Sequence, residues 1–273
     1  MIQKEELEKF ASRIRKRIVQ ATCKAGVSHI GGSLSIVEIL TCLYNGILNV
    51  SDENLHSRQR DQFVLSKGHA ALTLYSVLAE KGFLPESLFE EYCCQEETLL
   101  GIHPELGVPG IDAATGSLGH GLGIGIGLAL AMKMRGLSHK VWVLAGDGEF
   151  NEGTNWECLP VALRYQLDNL VLIIDRNYLQ LSGFTEELHP LDPLAEKLKA
   201  FGWLVETVDG HDLESLWNLF LRAKSYRGNK PLAVVAKTVK GKGISELENK
   251  VESHYCSVPE SAVGEYLEGS FGE

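Results

Sequence analysis

The stretch Val141-Trp-Val-Leu-Ala-Gly-Asp-Gly148, followed by Leu170-Val-Leu-Ile-Ile-Asp-Arg-Asn177, decides the fold. Each is a short apolar run that ends on polar loop residues. A run that is apolar at every position suits a strand covered on both faces, as strands of parallel sheets are. Working outward, the same pattern predicts strands over 63–65, 141–145, 170–175, 204–208 and 232–236. Helical stretches separate them, over 33–47, 69–81, 117–135, 154–167, 191–201 and 211–226. Strands alternating with helices predict an α/β fold, a parallel sheet with helices on both faces. Residues 3–20 read as an amphipathic helix, with Leu7, Phe10, Ile14 and Ile18 at helical spacing. No repeat, low-complexity tract or linker interrupts the pattern, so 1–273 reads as one domain. From about residue 240 the periodicity fades into a less regular tail, whose last six residues read as frayed.

Composition narrows the function. The chain has 273 residues, 44% of them hydrophobic and 23% charged, with a net charge of −10. That balance opposes intrinsic disorder. It also opposes nucleic acid or an acidic membrane surface as partner. No stretch approaches the roughly 18 apolar residues of a membrane helix. The charged N-terminus does not read as a secretory signal. Six scattered cysteines, with Cys93 and Cys94 adjacent and no C-x2-C pair, read as reduced thiols of a cytoplasmic protein.

An α/β sheet invites a nucleotide hypothesis. The glycine-rich run Gly119 to Gly127 fails G-x-G-x-x-G, because Ile124, Ile126 and Leu128 stand where the third glycine belongs. Gly241-Lys242 lacks the rest of a P-loop. The glycines in helix 117–135 would each cost about 1 kcal/mol relative to Ala. Close packing, or a helix start that approaches a ligand after Thr115-Gly116-Ser117, could offset that, and the two are compatible. The sharper signal is Gly146-Asp147-Gly148 at the carboxyl end of one strand, with Asn177 at the end of the next. Parallel strands present those ends on one edge, where α/β proteins bind ligands. A carboxylate, an amide oxygen and one main-chain carbonyl leave places for two phosphate oxygens and a water. That completes the octahedron Mg²⁺ demands.

These motifs, with others spread over about residues 10–255, resemble the N-terminal, thiamin-diphosphate-binding part of transketolases. Gly146-Asp147-Gly148 followed by Asn177 resembles the thiamin-diphosphate signature. His29-Ile-Gly-Gly-Ser33, Ser66-Lys-Gly-His69, His103-Pro-Glu105 and Thr115-Gly-Ser-Leu-Gly119 resemble family segments in order. So do Glu152-Gly153, Glu157, Lys237-Thr238 and Gly241-x-Gly243 before His254. The resemblance implies thiamin diphosphate and Mg²⁺, with Ca²⁺ or Mn²⁺ able to substitute. Asp147, Asn177 and the Leu179 carbonyl would hold the metal. Gly146, Gly148 and His69 would line the diphosphate, and Gly116, Ser117 and Leu118 the pyrimidine side. His254 would face diphosphate or substrate, and His29 and His103 the substrate's hydroxyls and carbonyl. Imidazoles there can donate to a developing alkoxide and shuttle protons, while the electron-sink chemistry is the cofactor's. Tyr255 stands where relatives often have Gly, His120 where many have Gln, and Arg176 where acidic residues are common.

In the resembled family, the glutamate that activates the cofactor and most sugar-phosphate arginines come from a second domain across a dimer interface. The resemblance therefore implies half an active site. A separate polypeptide with the pyrimidine-binding and C-terminal domains would supply the rest, two copies of each making a heterotetramer. Glu152, a catalytic and cofactor-side residue by resemblance, would join Glu157 as interface carboxylates. The implied reaction is transfer of a two-carbon ketol unit from a ketose phosphate to an aldose acceptor. One alternative is the subunit of a deoxyxylulose-phosphate synthase-like or keto-acid decarboxylating enzyme. Another is a non-catalytic thiamin-diphosphate binder.

Overall fold

The computed structural model describes residues 4–93 and 99–269. Cys94 and the end of the tail lie outside them. Five strands form one sheet: β1 (Gln62–Leu65), β2 (Val141–Gly146), β3 (Leu170–Arg176), β4 (Leu204–Asp209) and β5 (Leu232–Lys237). Their order is β1-β2-β3-β5-β4, and every pairing is parallel. All five expected strands are present, each extended by one residue.

The apolar runs serve two cores. Phe63, Leu65, Trp142, Leu144, Val171 and Ile173 point to one face. There they meet α1 (Lys4–Ala25), α3 (Val37–Cys42), α4 (Ala71–Glu80) and α9 (Leu213–Ser225). Val64, Val143, Ala145, Leu172 and Ile174 point to the other. There they meet α5 (Gly121–Met134), α6 (Gly153–Arg164) and α8 (Leu194–Ala200). Burying one large aliphatic side chain contributes about 1.5–3 kcal/mol. A strand covered on both faces gains this at every residue, which is why no alternation is needed. Strand β4, at one edge of the sheet, differs in leaving Glu206 and Thr207 exposed, whereas β1 at the other edge is buried throughout.

The helices depart from expectation mainly at their ends. The stretch 33–47 is broken into α2 (Ile30–Leu34), α3 and a wide turn (Leu43–Ile47), where Gly46 takes φ +143°. Region 191–201 contracts to α8, and a short α7 (Thr185–Leu188) precedes it. The tail is more regular than expected. Helix α10 (Glu260–Gly269) packs Val263, Tyr266 and Leu267 against the α1 core. The five cysteines among the described residues form no disulfide with one another. No described helix is long and apolar enough to cross a membrane.

Helix α5 starts at Gly121, four residues later than the sequence indicates. Its glycines divide by role. A Cβ on Gly121 would collide with Ser66, and one on Gly125 with the Val143 side chain. Gly127 has open space. Gly125→Ala is therefore expected to lower stability by about 1–3 kcal/mol through overpacking, against its helix-propensity gain. Gly127→Ala is expected to gain up to about 1 kcal/mol. Denaturation midpoints moving in opposite directions would show this; equal shifts would refute the packing role.

Candidate functional site

The carboxyl ends of β1, β2, β3 and β5 share one edge, and the segments that leave them build a cavity of about 480 Å³. Gly146, Asp147 and Gly148 follow β2, and Asn177 and Leu179 follow β3; all five line it. So do His29, His69, Leu118 and His254. The early and late histidines meet because α2 docks on the turn 251–254. Gly31 lies so close to Ser253 that a Cβ would collide with it, and its carbonyl accepts from Gly241 N at 3.0 Å. Beside it, Ser28 N donates to the Cys256 carbonyl at 3.1 Å.

The imidazoles form a row. Ring centroids are 4.6 Å apart for His29 and His69, and 4.7 Å for His69 and His103. Tyr255 lies tilted against His29 at 4.6 Å, and His254 stands edge-on to it at 5.4 Å. Gly116, at φ +147°, abuts His103; a Cβ there would meet the ring at 3.0 Å. His103 Nε2 is buried and has no hydrogen-bond partner among the described residues. Ser117 and Glu152 do not line the cavity and are exposed. Glu152 instead stands at the N-cap position of α6 with no side-chain capping hydrogen bond, packed against Gly119. Glu157 is exposed on the same helix.

Burial lowers the His29 pKa from 6.5 to about 4, helped by His69, His103 and Lys240. His254 falls to about 3, through burial first and then Lys240, His29, His69 and Lys67. Lys240 Nζ lies 2.8 Å from His254 Nδ1, and by donating there it leaves the ring proton on Nε2. Both folded values lie below the unfolded one, so the native state binds fewer protons. Their contribution to stability is full above pH 6.5 and is lost as pH falls toward 4. The denaturation midpoint of the free chain is expected to drop between pH 7.5 and 5. A His29→Asn/His254→Asn variant should flatten that drop; an unchanged slope would refute the assignment.

Beneath the cavity lies a set of buried charges. Asp147 accepts from Gly148 N (2.7 Å), Tyr178 N (2.7 Å) and Arg176 (3.1 Å). Burial and the neighbouring Asp175 nevertheless raise its pKa to about 6. Asp175 is wholly buried. Burial alone would raise its pKa, but the Lys67 ammonium and hydrogen bonds from Lys67, Thr238 and Ser35 hold it below the usual carboxylate range. Asn177 Nδ2 also donates to Asp175 (2.8 Å), which fixes the amide and turns Oδ1 away from it. Arg176 is buried as well, sharing Asp147, Thr185, Glu186 and Asp192. Its guanidinium lies 4.0 Å over the Tyr178 ring.

The sequence did not single out Glu149 or Lys240. Buried Glu149 accepts from Ser66, Gly119 N (2.8 Å) and Gly146 N (3.1 Å), tying together the ends of β1 and β2 and the entry to α5. Lys240 Nζ reaches the Gln180 carbonyl at 3.1 Å and the Leu179 carbonyl at 3.5 Å. Burial, with Lys67 nearby, lowers its pKa to about 8.

Among the described residues, no three His, Cys, Asp or Glu side chains cluster as a metal site. The set Asp147, Asn177 and Leu179 carbonyl does not need three such side chains. It offers hard oxygens of three kinds in one cavity, as a small divalent cation held with phosphate oxygens requires. The Lys240 cation that lines the same cavity fits an anionic cofactor.

A parallel sheet whose carboxyl edge carries these oxygens, cations and imidazoles defines a cofactor-binding α/β domain. The model of the family described as transketolase, thiamine diphosphate binding domain, matches residues 7–268, and the chain belongs to that family. It is 44% identical over 254 residues to one subunit of the apulose-4-phosphate transketolase of Actinobacillus succinogenes, covering 92% of this chain and 91% of that one. It is 39% identical over 259 residues to a 6-deoxy-6-sulfo-D-fructose transketolase subunit of Clostridium sp., covering 94% of each. Human transketolase is 37% identical over 270 residues, 98% of this chain but 42% of that protein. Among solved structures, Campylobacter jejuni transketolase superposes with a TM-score of 0.91 at 29% identity, over 98% of this chain and 43% of that one. The chain thus spans about two fifths of the full-length transketolases it matches.

Proposed function

We propose that the chain is the N-terminal subunit of a two-subunit transketolase. It moves a two-carbon ketol unit from a ketose phosphate to an aldose acceptor, in the cytoplasm. The observation that carries this is the match, over more than 90% of both chains, to proteins that are each named as one subunit of a transketolase. The cofactor is thiamin diphosphate with Mg²⁺; when bound it supplies the electron sink that carbon–carbon cleavage needs.

The chain's own residues then act as follows. Asp147, Asn177 and the Leu179 carbonyl hold the metal. Gly146, Gly148, His69 and Lys240 surround the diphosphate, and Gly116, Ser117 and Leu118 flank the pyrimidine side. His29, His69, His103 and His254 hold or move protons at the substrate's oxygens. Their low pKa values keep His29 and His254 neutral at pH 7; His29 can donate or accept, and His254, its Nδ1 taken by Lys240, can donate from Nε2.

A separate polypeptide supplies the pyrimidine-binding half, in a heterotetramer built about a two-fold axis. Two features support a partner over the cavity. No arginine lines the cavity among the described residues, so a sugar phosphate must find its guanidinium groups elsewhere. Apolar side chains stand exposed at its rim: Leu181 at 64%, Tyr255 at 48% and Ile102 at 38%. On α5 and α6, Ile124 and Val161 are exposed beside Glu152 and Glu157, which suits a second, self-associating face.

The test is affinity purification of the tagged chain from its own cells, with mass spectrometry of what stays bound and assay of the complex. A stoichiometric partner with a pyrimidine-binding domain, and ketol transfer by the pair, is the expected result. Turnover of pyruvate instead would establish the synthase-like or decarboxylating reading. Recovery of the chain alone, binding thiamin diphosphate without turnover, would establish the non-catalytic one.

A further inference from the structure

We propose that Gln180 is a cofactor-binding residue, its side-chain amide donating to the diphosphate. The inference rests on the thiamin-diphosphate reading of the cavity. Gln180 lies in the tight turn after β3. Tyr178 takes φ +65° there, Gln180 N donates to the Gly183 carbonyl (2.9 Å), and Thr185 N to the Tyr178 carbonyl (2.9 Å). This closed turn fixes where the Gln180 side chain leaves the backbone. It runs across Gly148, where an added Cβ would meet Gln180 Cγ at 2.9 Å, and it lines the cavity. The backbone carbonyl of Gln180 accepts from Lys240. The side chain thus passes over the Gly148 backbone, while the Gln180 backbone is tied to a lysine that lines the same cavity.

Gln180 Nε2 is buried and has no hydrogen-bond partner among the described residues. A buried donor left unpaired is costly, and Leu or Met would fill the same space without that cost. The two donors of an amide nitrogen need acceptors, and the anionic oxygens of a diphosphate over Gly148 are such acceptors. Nothing else about the site calls for an amide here. Asn177 and Asp147 already supply the metal's side-chain oxygens.

The experiment titrates the assembled complex, and the free chain beside it, calorimetrically with thiamin diphosphate and separately with inorganic pyrophosphate, both in MgCl₂. The variants are Gln180→Met, which keeps the volume and removes the donors, and Gln180→Glu, which adds a repelling charge. Gln180→Met is expected to weaken both ligands by about tenfold, the loss of one hydrogen bond to a charged acceptor. Gln180→Glu should weaken them further. The thermal midpoint of ligand-free Gln180→Met should not fall. Wild-type affinity for both ligands in Gln180→Met would overturn the proposal. So would loss of thiamin diphosphate alone with pyrophosphate retained, since the amide would then act away from the diphosphate. If wild-type protein binds neither ligand, free or assembled, the cofactor reading itself fails, and this inference with it.

Discussion

Asp147→Ala is expected to abolish Mg²⁺-dependent thiamin-diphosphate binding, a loss of at least about a hundredfold in affinity. Mutating even the outer partners of metal ligands typically costs about 10–100-fold, and Asp147 is the carboxylate of the proposed ligand set. Its pKa of about 6 leaves it ionised at pH 7.5, so a metal there meets a full negative charge. No neighbour can replace it. Asp175 spends its oxygens on Lys67, Ser35, Thr238 and Asn177. Glu149 spends its own on Ser66 and two backbone amides. The substitution also orphans the amides of Gly148 and Tyr178, at about 1–3 kcal/mol for an unsatisfied buried group. Arg176 is less disturbed, because it keeps Thr185, Glu186 and Asp192. Removing Asp147 also relieves its repulsion of Asp175. The chain should therefore fold, and a melting curve of ligand-free protein separates lost binding from lost structure. Asp147→Asn, which keeps the shape, should lose binding nearly as completely. Calorimetry showing unchanged affinity in either folded variant would refute the metal assignment.

How much of this was legible in the sequence follows from what each signal reports. Strands buried on both faces advertise themselves as unbroken apolar runs, so Val141 to Ala145 and Leu170 to Ile174 are readable. Their shared direction brings Asp147 and Asn177 to one edge. Strand β4 is readable too, but its exposed Glu206 and Thr207 mark an edge that the pattern of the other four does not predict. Helix α10 is hidden because its apolar residues Val263, Tyr266 and Leu267 fall within barely two turns around Gly264. Its docking on α1, not its local pattern, sustains it. Lys240 is hidden because three lysines occur within six residues, and nothing in Lys237-Thr-Val-Lys-Gly-Lys242 says which is buried. Its burial follows from the segment crossing from β5 to the α2 turn, where Gly241 N bonds the Gly31 carbonyl. Glu149 is hidden for a similar reason. An acid after Gly146-Asp-Gly148 reads as a solvated loop residue until the entry to α5 is seen to donate to it. Glu152, the acid the resemblance emphasises, lies on the surface, where only an interface could give it a partner.

His103→Ala is expected to leave cofactor affinity within about twofold while lowering kcat of the assembled enzyme by about 10²–10⁴, the range of a lost proton-transfer group. The split follows from geometry. His103 does not line the cavity that Asp147, Gly148 and Asn177 line. It meets the cofactor side only through Gly116, and the rest of the cavity through His69. Its backbone is held independently, since the Tyr75 hydroxyl donates to its carbonyl. The side chain is thus free of a structural duty, and its buried Nε2 has no partner among the described residues. A buried ring nitrogen kept unpaired within a row of imidazoles suits a group that engages substrate oxygen during turnover. His69→Ala should behave differently, losing both affinity and rate, because His69 lines the cavity and lies between His29 and His103. The comparison is made on complexes of equal melting temperature, with cofactor Kd from calorimetry and kcat at saturating cofactor. Collapse of cofactor binding in His103→Ala would mean that the imidazole holds the cofactor. Wild-type kcat would mean that proton transfer belongs to His29, His254 or the partner.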